Sequence, residues 1–312
     1  MVRWLKWAVL VLLVAVISLA IAGSHFLTDW LWFKSLGYPK LLITRLGWEW
    51  GLRIGSWLCF SLILFINLWM MKSVVKQALW RFYRLNQFIT GKHLILAASL
   101  ISIVLGLVYS SGYGGYYFEV AQFFNSSDFG VTDPIFGKDI GFYFFELPVY
   151  QLLISALATA LTLVTAVCAA IYFVSGHFQF ENYQPRLSMR AQKHLSVLVG
   201  LLVLTKAADY SVQAYRLLYN PSGIVFGAGY TDVNVRLVVL RMLMVVAVAV
   251  SLIFITRLYR FRKILIGSLA FWFGLSFVGG VIAPFAVQQW LVAPNEFTRE
   301  WPYIEHHIQM TR

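Results

Sequence analysis

Lys206 and Asp209 stand three residues apart inside the stretch LTKAADYSVQAYR. On a helix that spacing puts both side chains on one face and within reach of each other. Lys206 lies about 16 Å of helical rise beyond Leu195, where an apolar segment begins. That is near the middle of a hydrocarbon core about 30 Å thick. A charge at such depth costs about 2.5–3.5 kcal/mol on insertion scales, so the pair must face protein or water. Arg241, in the next apolar segment, is a second candidate partner for Asp209. An ion or proton relay is one reading of these residues, and it would make the chain a transporter or channel. A Lys206–Asp209 ion pair that fixes helix register is the other. The second is favoured, because one pair without further polar residues makes a poor pathway. Arg241 can also snorkel to the membrane surface.

A second set of chemistry-bearing residues lies between the apolar segments. Asp29 follows the first of them, and Asp133 and Asp139 sit in DPIFGKDIGFYFFELPVY (133–150). Asp232 and Asn234 sit in GAGYTDVNVRL (227–237). Carboxylates at a membrane surface can serve as bases or metal ligands for lipid-linked substrates. There is no Asp-x-Asp pair and no His beside them, so solvated loop charge is the favoured reading. Glu305, His306 and His307 are adjacent, and neighbours on a helix diverge by about 100°, a poor chelate. No Walker loop, GxGxxG, GxSxG, HExxH or CxxC occurs. The sequence therefore assigns no catalytic residue, no metal ligand and no cofactor.

The elements that would position these residues are membrane helices. The 312 residues are 60% hydrophobic and 12% charged, with a mean hydropathy of +0.73. A soluble domain could not hide that much apolar surface. Seven apolar segments cover 5–27, 52–71, 94–110, 149–174, 195–218, 235–256 and 264–288. The expected fold is all-α, a polytopic membrane protein of about seven transmembrane helices. Residues 1–291 form the membrane domain, and 292–312 begin an extracellular region that the resemblance described below implies is truncated.

The net charge of +12 is spread over short loops, which argues for membrane topology and against nucleic acid. Lys72, Lys76, Arg81, Arg84 and Lys92 share one loop; Arg186, Arg190 and Lys193 share another; Arg257, Arg260, Arg262 and Lys263 share a third. These loops alternate with acidic ones. The positive-inside rule then places the N-terminus in the cytoplasm and the C-terminus outside. Arg3, Lys6 and Ala20-Ile21-Ala22 are reminiscent of a cleavable signal. The apolar run continues toward Phe26, which favours a retained helix.

The stretch 29–50, with Trp30, Trp32, Phe33, Tyr38, Trp48 and Trp50, reads as a helix or hairpin on the outer surface. Pro39 suits the start of a helical piece there. Asn67 reads as an interhelical hydrogen bond, and Ala156/Ala160 and Ala270/Gly274 as close-packing pairs. Cys59 and Cys168 both fall inside apolar runs and read as packing residues.

Four stretches together carry a resemblance: DWLWFKSLGYPKLLITRLGW (29–48), DPIFGKDIGFYFFELPVY, GAGYTDVNVRL and PNEFTREWPYIEHHIQMTR (294–312). The chain resembles the uncharacterised bacterial multipass membrane protein family number 0182, along its whole length and in the family's order. The resemblance implies seven membrane helices followed by a large outer region, and no assigned activity. Family chains run several hundred residues past the PYIE-type motif, and they tend to have Asn where this chain has His307. The favoured function is a cell-membrane base or anchor for an extracellular domain or an envelope protein, docking on 133–150 and 292–312. A transporter or channel using Lys206 and Asp209, and an outer-leaflet enzyme on a lipid-linked substrate, are the alternatives. The lipid bilayer is the expected surrounding.

Overall fold

A computed structural model describes residues 2–80, 90–181, 184–221, 226–256 and 262–311. Arg81, Arg84, Arg257 and Arg260 lie outside the described residues. The fold is a helical polytopic one. Helix α1 spans Val2–Ser35, α2 Pro39–Met70, α3 Lys72–Trp80, α4 Gly91–Ser110 and α5 Tyr117–Phe124. A π-helical turn, Phe142–Glu146, leads into α6, Leu147–Val174. Strands β1 (Phe178–Glu181) and β2 (Gln184–Leu187) pair antiparallel, with Phe178 opposite Leu187. Helix α7 spans Met189–Arg216 and ends in a 3₁₀ turn, Leu217–Tyr219. A second π turn, Asp232–Arg236, opens α8, Leu237–Ile255. From Arg262 to Thr311 the backbone stays helical, through α9 (Arg262–Phe277), α10 (Ala283–Val287) and α11 (Glu296–Thr311).

Among the described residues, six helical stretches are long and apolar enough to cross a membrane: Pro39–Met70, Gly91–Ser110, Phe142–Val174, Met189–Tyr219, Asp232–Ile255 and Ile266–Gln309. Helix α1 covers the first expected segment as one 34-residue helix. The other expected segments fall on α2, α4, α6, α7, α8 and α9; α2 starts well before the expected 52, at Pro39, and the expected 264–288 runs past Phe277 into the following π turn and α10.

Two regions differ from expectation. The ring-rich stretch 29–50 is not a separate surface piece. Helix α1 runs on to Ser35, and α2 begins at Pro39. Gly37, at φ +80°, ends α1. Its N–H donates to Lys34 O at 3.1 Å, and Tyr38 N–H donates to Phe33 O at 3.0 Å. That is a glycine-ended Schellman cap, followed by a proline whose missing N–H costs nothing in the first turn. The stretch after Val292 is also helical. Upstream of it the register slips in two π turns, Val278–Ile282 and Gln288–Val292, flanking Pro284 and preceding Pro294. A proline removes one backbone donor and crowds the preceding turn, and a wider turn relieves both.

The core runs between α2, α6 and α7, where Phe60, Leu64, Val164, Cys168 and Leu198 are buried. A second cluster joins α7 to α8 and α9 through Val203, Tyr210, Leu243 and Ala247. Close helix approach depends on glycines at which an added Cβ would collide. One at Gly106 would lie 2.0 Å from Ser61 Oγ of α2, and one at Gly200 would lie 2.8 Å from Ile255 Cγ1 of α8. Small residues of this kind let helices meet in lipid. Ala160 is buried as expected. Ala270 and Gly274 are exposed instead, and nothing lies near Gly274. On that helix the packed glycine is Gly279, against Val239. Cys59 is exposed and Cys168 fully buried, both as free thiols.

Candidate functional site

The loop before α6 is tied by two carboxylates. Asp133 is 3% exposed. Its Oδ1 accepts the N–H groups of Ile135 (2.9 Å) and Phe136 (2.6 Å). Its Oδ2 accepts Lys138 N–H (2.9 Å) and the Tyr143 hydroxyl (2.7 Å). Asp139 Oδ1 takes the N–H groups of Phe129 and Gly141, and its Oδ2 takes that of Gly130. These amides, Phe129 foremost and then Gly141, hold the Asp139 carboxyl below the usual aspartate range. Both acids are occupied by backbone donors. Asp29 is exposed, on α1.

On α7 the Lys206–Asp209 pair forms at 2.5 Å. Asp209 Oδ2 also accepts Gln213 Nε2 at 2.7 Å. Arg241 is exposed, and Asp209 takes Gln213 in its place. Lys206 retains 44% side-chain exposure and Asp209 31%, so the pair lies at the edge of the packed core. Asn67 makes the expected interhelical contact: its Oδ1 lies 2.8 Å from His194 Nε2 on α7. The His194 Nδ1 in turn lies 3.2 Å from the Tyr172 hydroxyl on α6. Asn67 Oδ1 can only accept, so His194 donates from Nε2 and receives at Nδ1.

The third constellation is a polar cavity of about 540 Å³ where the ends of α7, α8, α10 and α11 meet. Asp232 is 4% exposed. Its Oδ1 accepts Arg236 Nη1 at 2.8 Å, and its Oδ2 accepts Asn220 Nδ2 at 2.6 Å and Gly229 N–H at 3.2 Å. Glu300 of α11 is 7% exposed. Its Oε2 accepts Tyr230 N–H at 3.0 Å. Around them Thr231 Oγ1 donates to Gln288 Oε1 (2.5 Å), and Asn234 Nδ2 donates to the Tyr303 hydroxyl (2.9 Å). Three π turns reach this place: Asp232–Arg236 itself, Val278–Ile282 through Gly280 and Val281, and Gln288–Val292 through Gln288. Such turns are rare and recur at functional sites, because the extra residue re-aims side chains.

The stretches 227–237 and 294–312, far apart in sequence, are thus locked together. The 133–150 stretch joins its neighbour through Tyr219, whose hydroxyl donates to Tyr143 O at 3.0 Å. Sequence reasoning named Asp232 and Asn234 but passed over Arg236, Glu300, Tyr230 and Gln288. The four-residue spacing of Asp232 and Arg236 was the available signal. Among the described residues, no three His, Cys, Asp or Glu side chains converge to hold a metal ion.

The family model described as "Uncharacterised protein family (UPF0182)" matches residues 6–312. A UPF0182 protein of Desulforamulus reducens is 34% identical over 315 residues, covering 93% of this chain and 34% of the relative. One of Moorella thermoacetica is 33% identical over 318 residues, covering 99% of this chain and 35% of the relative. One of Geobacter sp. is 30% identical over 298 residues. The chain spans about a third of the length of the curated relatives it matches. No solved structure matches it. With a matching family model along nearly its whole length, the chain belongs to the uncharacterised protein family UPF0182.

Proposed function

We propose that this region is a membrane-embedded base whose acidic face supports further protein mass outside the cell. The observation that carries the reading is the state of three aspartates on that face. Asp133, Asp139 and Asp232 are each committed to two or more donors, most of them backbone amides. Acids held in this way fix loops; a general base needs a free lone pair beside its substrate. The Lys206–Asp209 pair supports the same reading over transport, since Asp209 Oδ2 is engaged by two near neighbours on its own helix. In this account the cytoplasmic side carries the β1–β2 hairpin and the basic loops, and residues 133–150 and 292–312 are the docking surface in the cell envelope.

The test is a pair of reporters fused after Arg312 in a bacterial cell. Alkaline phosphatase fused there is active and green fluorescent protein is dark. A bright fluorescent fusion with an inactive phosphatase contradicts the outward face and removes the base reading with it.

A further inference from the structure

Two adjoining cavities have the lining residues Asn220, Arg236 and Gly280 in common. The first, of about 430 Å³, carries Arg216 and Arg236. The second, of about 540 Å³, carries Asp232, Glu296 and Glu300. A basic pole and an acidic pole therefore sit side by side. They do so where α7 ends and α8 begins, at the ends of two helical stretches long and apolar enough to cross a membrane. Asp232 engages Arg236, but Glu296 and Glu300 have no cation partner among the described residues. Glu300 is nine-tenths buried and receives a single donor among the described residues, Tyr230 N–H. A carboxylate has about four acceptor positions, and a buried one is stable only when they are served. Arg216 likewise has no ion-pair partner among the described residues. The lip of the acidic cavity is apolar and open, with Val281 57% and Phe285 64% exposed.

We infer that this double cavity binds the headgroup of a zwitterionic aminophospholipid, with its phosphate at Arg216 and Arg236 and its ammonium at Glu300 and Glu296. An acyl chain leaves along Val281 and Phe285. A primary ammonium donates hydrogen bonds to both carboxylates. A choline group cannot donate, and a glycerol headgroup brings no cation to the acidic pole. The combined space suits a headgroup, since ligand cavities run from about 300 to 1,000 Å³. The inference stands apart from the base reading: it needs the cavity at a membrane surface, whichever side that surface faces.

The test titrates the purified chain in detergent with dioctanoyl phosphatidylethanolamine, phosphatidylcholine and phosphatidylglycerol, and with free phosphoethanolamine. Phosphatidylethanolamine binds about tenfold tighter than the other two lipids, the worth of one charge-assisted hydrogen bond. Free phosphoethanolamine binds more weakly than the lipid, because it lacks the chain. Glu300→Gln keeps an oxygen for Tyr230 N–H and abolishes the preference for ethanolamine over choline. Arg216→Leu weakens all three lipids alike. Thermal unfolding reports whether Glu300→Gln folds; if it does not, Glu296→Gln at the exposed lip serves the same purpose. Equal binding of the three lipids, or a preference that survives in both glutamine variants, overturns the inference. Free phosphoethanolamine binding as tightly as the lipid overturns the lipid as ligand.

Discussion

The loop around Asp133 and the cavity around Glu300 use the same side-chain chemistry to opposite ends. Asp133 is buried and receives four donors, three of them amides of its own loop. Glu300 is about as buried and receives Tyr230 N–H from a segment 70 positions away. The first carboxylate closes a loop on itself and leaves no capacity over. The second joins two distant segments and keeps acceptor capacity facing an open cavity. Burial alone therefore does not mark a site. The count of donors around a buried charge separates a structural knot from a place that can take a ligand.

Four outcomes would sharpen or break that contrast. Asp133→Ala strands three amides and a tyrosine hydroxyl in a buried place, and it should cost about 3 kcal/mol. A thermal unfolding shift of under a degree would remove the knot. Asp232→Ala leaves Arg236 beside a cavity without its partner, at about 2 kcal/mol. Glu300→Gln should stay within about 1 kcal/mol of the parent in the same assay, since its amide oxygen still serves Tyr230. A loss as large as that of Asp133→Ala would mean that both carboxylates are structural. The smallest effect concerns Asp139. Its folded pKa lies below the unfolded value, so its contribution is present above the unfolded pKa and is lost as pH falls through the folded one. Pepsin cleavage after Phe129 should stay low near pH 5 and rise below roughly pH 4. In Asp139→Asn it should be high throughout, and a flat parent profile would show that the carboxylate does not hold the loop.

The helices were legible because apolar runs of span length have few other outcomes. Lys206 and Asp209 were legible as a pair because three residues on one helix fix their distance. The stretch 29–50 misled because an aromatic belt and a continuing helix share a composition; the break is confined to the few positions between Ser35 and Pro39. Ala270 and Gly274 misled because small-residue spacing says nothing about which helix lies opposite. Packing against Val239 chose Gly279 instead. The Glu300–Tyr230 contact was out of reach, since its partners lie in different segments and meet only once α8, α10 and α11 are assembled. The same is true of Arg216, Arg236, Glu296 and Glu300, which come together in adjoining cavities.

The central claim is that the carboxylates on the acidic face make it rigid. Hydrogen exchange of the protein in lipid nanodiscs, followed at the amides of Ile135, Phe136, Lys138 and Tyr230, tests it most directly. The account predicts that these four amides, each held by a buried carboxylate, exchange only as slowly as the amides of α6 and α7. Exchange at the rate of an open loop would contradict it.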